Sequence, residues 1–284
     1  MSKIRTMMVV GAVAAAALCS GAAMAAGKST LAKLRAQGYV RVAFANEVPY
    51  GYLNENGKLT GESPEVARVI FKRLGIPKMK GVLTEWASLL PGLQAGRWDV
   101  VAAGMFITPK RCKEAAFSNP SYKMGSAFLV RAGNPHNLHS YQDAAKNKDV
   151  TLGVLAEAVE LGYAQAAGIP KSRIKQFPDQ ASMLAAVKTG RVDAAALTSV
   201  SIARMAQRGG SDVEMATPFK SPPQALGYGG FAFRKGDKKL VAAFNAQLKK
   251  YVNTKAHLKL VKPFGFTKVN LPGNVTAEEL CKAK

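Results

Sequence analysis

Apolar and polar positions alternate at Val40, Arg41, Val42, Ala43 and Phe44, the pattern of a strand with one buried face. Residues 150–155 form a second strand opening, more continuously apolar. After the first strand, polar Asn54, Glu55, Asn56 and Gly57 predict the turn of a hairpin. Helical spacing over residues 64–74 ends at Gly75, a residue suited to a helix stop. After the second strand a helix is expected to begin directly, near Glu157. Strands alternating with helices predict α/β units with mostly parallel sheets.

A quasi-repeat organises these elements. Ser88, Gly96, Arg97 and Asp99 recur as Ser182, Gly190, Arg191 and Asp193, in the same order and at the same offsets. Apolar runs follow, at 100–103 and at 194–197. Each copy reads as a Ser-capped helix, a Gly stop and a short buried strand. Two copies predict two similar lobes. One more strand at 230–233 and an amphipathic helix at 239–251 start no third copy, so they are expected to return to lobe one. The polar stretch 131–135 and the Pro-rich stretch 218–223 are the expected crossovers. Lobe one is then 26–130 with 223–284, and lobe two is 131–222. Ligands of open α/β sheets sit beyond the carboxyl ends of strands. Those ends supply Glu47 and Tyr50, residues 104–106, residues 156–159, and Thr198.

The N-terminus changes the cellular picture. Lys3 and Arg5 precede an Ala-rich apolar run over 7–18, and Ala23 and Ala25 suit a cleavage site before Ala26. A secretory signal peptide over 1–25 is expected, and the mature protein is expected in the periplasm. A membrane anchor fits less well, because the run is short and Ser20 and Gly21 interrupt it. Lipoprotein processing at Cys19 is disfavoured by Leu18 beside it. About 259 residues remain, enough for two lobes with their own cores.

Lys and Arg total 40 against 18 Asp and Glu, and the mature chain keeps a net charge of about +20. The basic residues are scattered, with no dense arm and no aromatic–basic motif. They read as a solvated surface, and nucleic acid is not an expected partner. Once Cys19 leaves with the signal, Cys112 and Cys281 remain as an even pair, which predicts one disulfide in an oxidising compartment.

Candidate chemistry is sparse. His136 and His139 form an H-x-x-H pair in an expected loop beside Asn134 and Pro135, with no third ligand, so no metal is expected. Nucleophile elbow, P-loop and dinucleotide fingerprint are absent from the sequence, and no cofactor is expected. Glu62 and Glu65 read as first-turn acids favoured by the helix dipole. Thr108, Pro109, Lys110 and Arg111 follow the third strand of lobe one and bring a guanidinium near the cleft. Arg suits bidentate capture of a carboxylate, although by itself this one also reads as a surface residue.

The segment 103–111, with Phe117, Ser118 and Tyr122, resembles the signature of the family 3 extracellular solute-binding proteins, receptors of ABC importers for polar amino acids and similar solutes. The resemblance covers essentially the whole mature chain. It implies the type II periplasmic-binding-protein fold: two α/β lobes joined by two crossovers with a ligand cleft between them. It also implies that Arg111 clamps the solute's carboxylate. Where the family carries an Asp for the α-ammonium, this chain has Thr198, and the helix-opening acidic pattern is altered to Gly61, Glu62, Ser63, Pro64 and Glu65. An Arg without that Asp implies a ligand whose positive charge is not an ordinary α-ammonium.

Within the family the chain resembles the ectoine- and hydroxyectoine-binding subgroup, through residues 44–52, 91–96, 102–109, Arg111, Cys112, 160–163 and 263–266. That likeness implies an acid, Glu47, and an aromatic cage of Tyr50, Trp86 and Phe106 around a cyclic amidinium. Arg111 holds the carboxylate, and Gly104, Val159 and Thr198 complete the expected site. The expected partners are a small zwitterionic solute and the membrane permease of an ABC transporter, with the receptor a monomer and not an enzyme. The rival readings are a receptor for ordinary polar amino acids and a dehydratase-like enzyme with Glu47 as its sole proton-transfer group.

Overall fold

Along one strand near the middle of lobe one, Val100 and Ala102 enter one core while Val101, Ala103 and Met105 enter another. This period of two makes a sheet buried on both faces. The structure is a computed structural model and describes residues 29–283. The expected signal peptide at 1–25 and its cleavage site lie outside the described residues.

The first part of the chain runs α1 (Thr30–Gln37), β1 (Tyr39–Phe44), the hairpin β2 (Tyr52–Leu53) and β3 (Leu59–Thr60), and α2 (Glu62–Arg73). It continues with β4 (Lys78–Leu83), α3 (Leu89–Gln94), β5 (Val100–Phe106), α4 (Pro109–Cys112), β6 (Ala116–Phe117) and β7 (Tyr122–Met124). The second lobe contains β8 (Ser126–Arg131), α5 (Tyr141–Lys146), β9 (Leu152–Leu155), α6 (Val159–Ala166) and β10 (Ile174–Phe177). Then come α7 (Gln180–Lys188), β11 (Ala194–Thr198), α8 (Ser199–Gly209) and β12 (Val213–Met215). The chain ends with β13 (Gly227–Phe233), α9 (Lys238–Lys249), α10 (Lys255–Val261) and α11 (Ala277–Lys282).

The first sheet has the order β4-β1-β5-β13-β6, with β7 also on β13; the second has the order β10-β9-β11-β8-β12. The two orders correspond strand for strand across their first four members. In each, a parallel trio is followed by an antiparallel strand. The sheets are therefore mixed rather than mostly parallel, because the strand next to each crossover runs against the trio. As the sequence pattern predicts, β13 returns to the first sheet.

The quasi-repeat has a physical basis. Asp99 accepts from the Arg41 N–H at 3.0 Å, and its own N–H donates to the Arg41 carbonyl at 3.0 Å. Asp193 does the same with Thr151, at 2.9 and 3.0 Å. Each Asp thus ties the strand after the repeat helix to the opening strand of its own lobe. Gly96 and Gly190 both stand at φ 70°, where an L side chain is strained. The Ser caps differ from expectation. The Ser88 side chain caps nothing, and Asp179, not Ser182, caps α7 by accepting from the Ser182 N–H. Asp is as good a cap as Ser, and it sits at the true helix start.

The first crossover also differs. The strand at Ser126–Arg131 pairs with β11 and β12, so the chain changes sheets at Gly125 and the polar stretch 131–135 is a turn within lobe two. Polarity marks solvent exposure, whereas this crossover is half-buried at Gly125. The second crossover passes beside it: the Ser221 hydroxyl accepts from the Ser126 N–H at 3.1 Å.

Candidate functional site

Strand ends and the loops after them converge between the lobes. Twelve residues surround a small cavity. The eight expected from the sequence are all there: Glu47, Tyr50, Trp86, Gly104, Phe106, Arg111, Val159 and Thr198. Leu155, Ala158, Glu160 and Leu197 complete the wall; Ala158 lies in the expected strand-end stretch 156–159, and the other three were not foreseen. Leu155 and Leu197 lie at or beside the carboxyl ends of β9 and β11, so the strand-end rule could have found them. Glu160 reads in sequence as an ordinary first-turn acid, and nothing local signals its burial. The cavity adjoins a larger outer cleft that shares Trp86, Arg111, Ala158 and Val159.

Arg111 is placed by the chemistry of its own segment. The Thr108 side chain caps α4 by accepting from the Arg111 N–H, and Pro109 takes the first helical position, where its missing N–H costs nothing. The guanidinium is only 8% exposed, and burial lowers its pKa. It donates to the Phe106 carbonyl at 3.0 Å and, across the lobes, to the Glu157 carbonyl at 3.2 Å. Three of its five N–H groups remain for a solute. Trp86 carries this guanidinium over its ring, 5.5 Å from the centroid.

Glu47 faces the same space and is buried. Its pKa is pushed up to about 8, first by desolvation, with the neighbouring Glu160 adding to it. The Ser201 hydroxyl, from lobe two, opposes the rise by donating to Glu47 Oε1 at 2.7 Å. Glu160 is raised to about 7 by burial, while its own backbone N–H and Arg111 pull it down.

The aromatic walls are core and site together. Tyr50 packs on Tyr122, with centroids 5.2 Å apart, and on Phe266 at 5.7 Å. Its hydroxyl is buried without a hydrogen-bond partner. Phe106 sits at the end of β5 against Gly227, where a Cβ would come within 2.0 Å of the ring. Thr198 caps α8 by accepting from the Ser201 N–H. Its hydroxyl therefore serves the helix, in a place where a carboxylate could otherwise reach the cavity.

Several groups singled out in the sequence lie elsewhere. His136 meets Asp193 at 3.1 Å, and both ring nitrogens of His139 are within 2.9 Å of oxygens of Pro218 and Asn137. Glu65 pairs with Arg68 as a first-turn acid should. Glu62 instead is fully buried; it accepts from Ser63 and Ser121, and desolvation raises it to about 7. Cys112 and Cys281 are bonded, joining α4 to α11.

The profile of the bacterial extracellular solute-binding proteins, family 3, matches residues 40–267. A probable amino-acid ABC transporter periplasmic-binding protein of Sinorhizobium fredii is 36% identical over 280 residues, which is 96% of this chain and 92% of that protein. Among solved structures, EhuB in complex with hydroxyectoine is 37% identical with a TM-score of 0.82, covering 90% of this chain and 98% of the other. The ancestral amino acid-binding protein AncCDT-1, a precursor of cyclohexadienyl dehydratase, is 30% identical with a TM-score of 0.74, covering 83% and 99%.

Proposed function

Given that the chain belongs to the bacterial extracellular solute-binding proteins, family 3, we propose that it captures ectoine or hydroxyectoine in the periplasm and delivers it to the permease of an ABC importer. Family membership makes it a small-solute receptor of ABC import and not an enzyme. The identity of the solute rests on one observation. A single buried cavity contains a guanidinium with free donors, a carboxyl group and three aromatic side chains, and at 198 it has a Thr capping a helix.

Arg111 takes the solute's carboxylate in this reading, and Glu47 accepts from a ring N–H. Tyr50, Trp86 and Phe106 hold a flat, weakly hydrated cation, each contact contributing about 0.5–2 kcal/mol. Gly104, Val159 and Thr198 shape the walls. Lobe one is then residues 29–124 with 227–283, lobe two 126–221, and the crossovers at Gly125 and near Pro222 form the hinge. A solute that touches both lobes stabilises the closed form, which the permease recognises. The solved complex of EhuB with hydroxyectoine supports this choice of solute. A second reading, an ordinary amino acid, draws on the name of the Sinorhizobium relative.

Titration calorimetry with ectoine, hydroxyectoine, glutamine and arginine decides between them. Ectoine or hydroxyectoine should bind most tightly, and Arg111→Ala should weaken it by about 30-fold or more, the loss of a partner for a desolvated carboxylate. Tighter binding of glutamine or arginine would establish the second reading.

A further inference from the structure

Glu47 and Glu160 line one cavity from opposite lobes, and Arg111 is the one cation among the residues lining it. Glu160 is the second residue of α6 and is 3% exposed; Glu47 is 6% exposed. Glu47 has a hydroxyl donor in Ser201, and Glu160 has its own backbone N–H. A zwitterion adds one positive and one negative charge. With both acids ionised, the loaded cavity would hold two positive and three negative charges. Uncompensated buried charge is costly, and a carboxyl group relieves it by keeping a proton.

We propose that Glu160 is a further solute-binding residue, and that Glu47 and Glu160 share one proton across the lobes when a zwitterion fills the cavity. The proposal rests on the preceding reading that the solute is a zwitterion held by Arg111. Two acids coupled this way titrate as a pair, so the shared proton belongs to neither alone. Burial raises both toward neutrality, Glu47 to about 8 and Glu160 to about 7, and the charge of Glu160 adds to the rise at Glu47. The groups facing Glu160 are Arg111 from α4, Glu47 from the loop after β1, Tyr141 from α5 and Tyr163 from its own helix. Glu157, beside Arg111, is exposed and paired with Lys110. Burial pushes Tyr163 up to about 12 and Tyr141 well above its usual value, so neither of these neighbours titrates near neutral pH.

The solute displaces the water that screens the two carboxylates, so above the pair's titration binding takes up one proton from the buffer. Wild-type affinity for ectoine should fall about tenfold between roughly pH 6.5 and pH 8.5, with proton uptake seen as a heat that depends on the buffer. In Glu160→Gln, which cannot ionise and still offers a donor, the fall should disappear. Glu160→Ala should lack the fall too, with weaker binding at the lower pH because the donor is gone. Equal pH dependence in wild type and both variants, or a heat independent of buffer, overturns the proposal. If the wild type ignores ectoine and takes glutamine, the reading of the solute fails. The same comparison run with glutamine, also a zwitterion, then decides the pair by itself.

Discussion

Gly104 stands at φ 70°, and a Cβ built there would lie 2.2 Å from the Tyr50 ring. Both facts concern one wall of the cavity. The backbone turns where only Gly turns freely, and the Tyr50 ring uses the space a side chain would fill. Tyr122 adds a third constraint by donating its hydroxyl to the Gly104 carbonyl at 2.6 Å. Gly104→Ala should therefore destabilise the protein by about 1–3 kcal/mol and displace Tyr50. Solute affinity should fall by about 2- to 30-fold, the worth of one such contact face. Urea unfolding and calorimetry on the same sample test this. A variant with native midpoint and native affinity would mean that the wall has slack the close contact denies. The family resemblance marked Arg111 and the aromatics as candidates, where residue type alone reads as a surface Arg and core aromatics. Neither marked Glu160, whose environment comes from elements distant in sequence.

The element that carries Arg111 is a helix of four residues, too short to persist alone. It is held by the Thr108 cap, by Pro109 at its first position and by the disulfide from Cys112 to Cys281 in α11. Helix α11 is itself started by a capping box between Thr276 and Glu279. The bridge closes a loop with a sequence separation of 169, for which the chain-entropy model gives about 5 kcal/mol, an upper value for real proteins. The double variant Cys112→Ser with Cys281→Ser should show a lower thermal midpoint, and its solute affinity should drop because α4 is less firmly placed. The unreduced wild type, unfolded in denaturant, should show no titratable thiol from this pair. Two reactive thiols per chain would contradict the bond. At this scale the sequence predicted most elements: the β2–β3 hairpin, α2 stopping at Gly75, and the helix–strand unit repeated around Asp99 and Asp193.

Across the whole molecule, closure is made by a few contacts between lobes. Gln180, at the start of α7, donates to the Val48 carbonyl at 2.9 Å and accepts from the Val48 N–H at 3.2 Å. Ser201 donates to Glu47, and Arg111 donates to the Glu157 carbonyl. The last two involve groups that also line the cavity, so closing the lobes and holding the solute use the same atoms. Gln180 touches only the partner lobe's backbone. Gln180→Ala should therefore weaken the closed state alone, with affinity about tenfold lower, mainly through faster release, and an unfolding midpoint almost unchanged. Stopped-flow dissociation measures it, and an unchanged release rate would assign closure to the other contacts. By itself the sequence determined the two α/β lobes, the return of the last strand and the cysteine pair, while the eight expected cavity residues came with the family resemblance. Those features are written in local periodicity, in glycine and capping chemistry, and in motifs whose spacing is short. The tertiary structure alone decided that the strand Ser126–Arg131 joins the second sheet, that Asp179 caps α7, that Thr198 serves as a cap, and that Glu160 lines the same cavity as Glu47. Each of these depends on which distant segment lies opposite. Burial and charge balance are properties of the packed neighbourhood, and no window of the chain contains that neighbourhood.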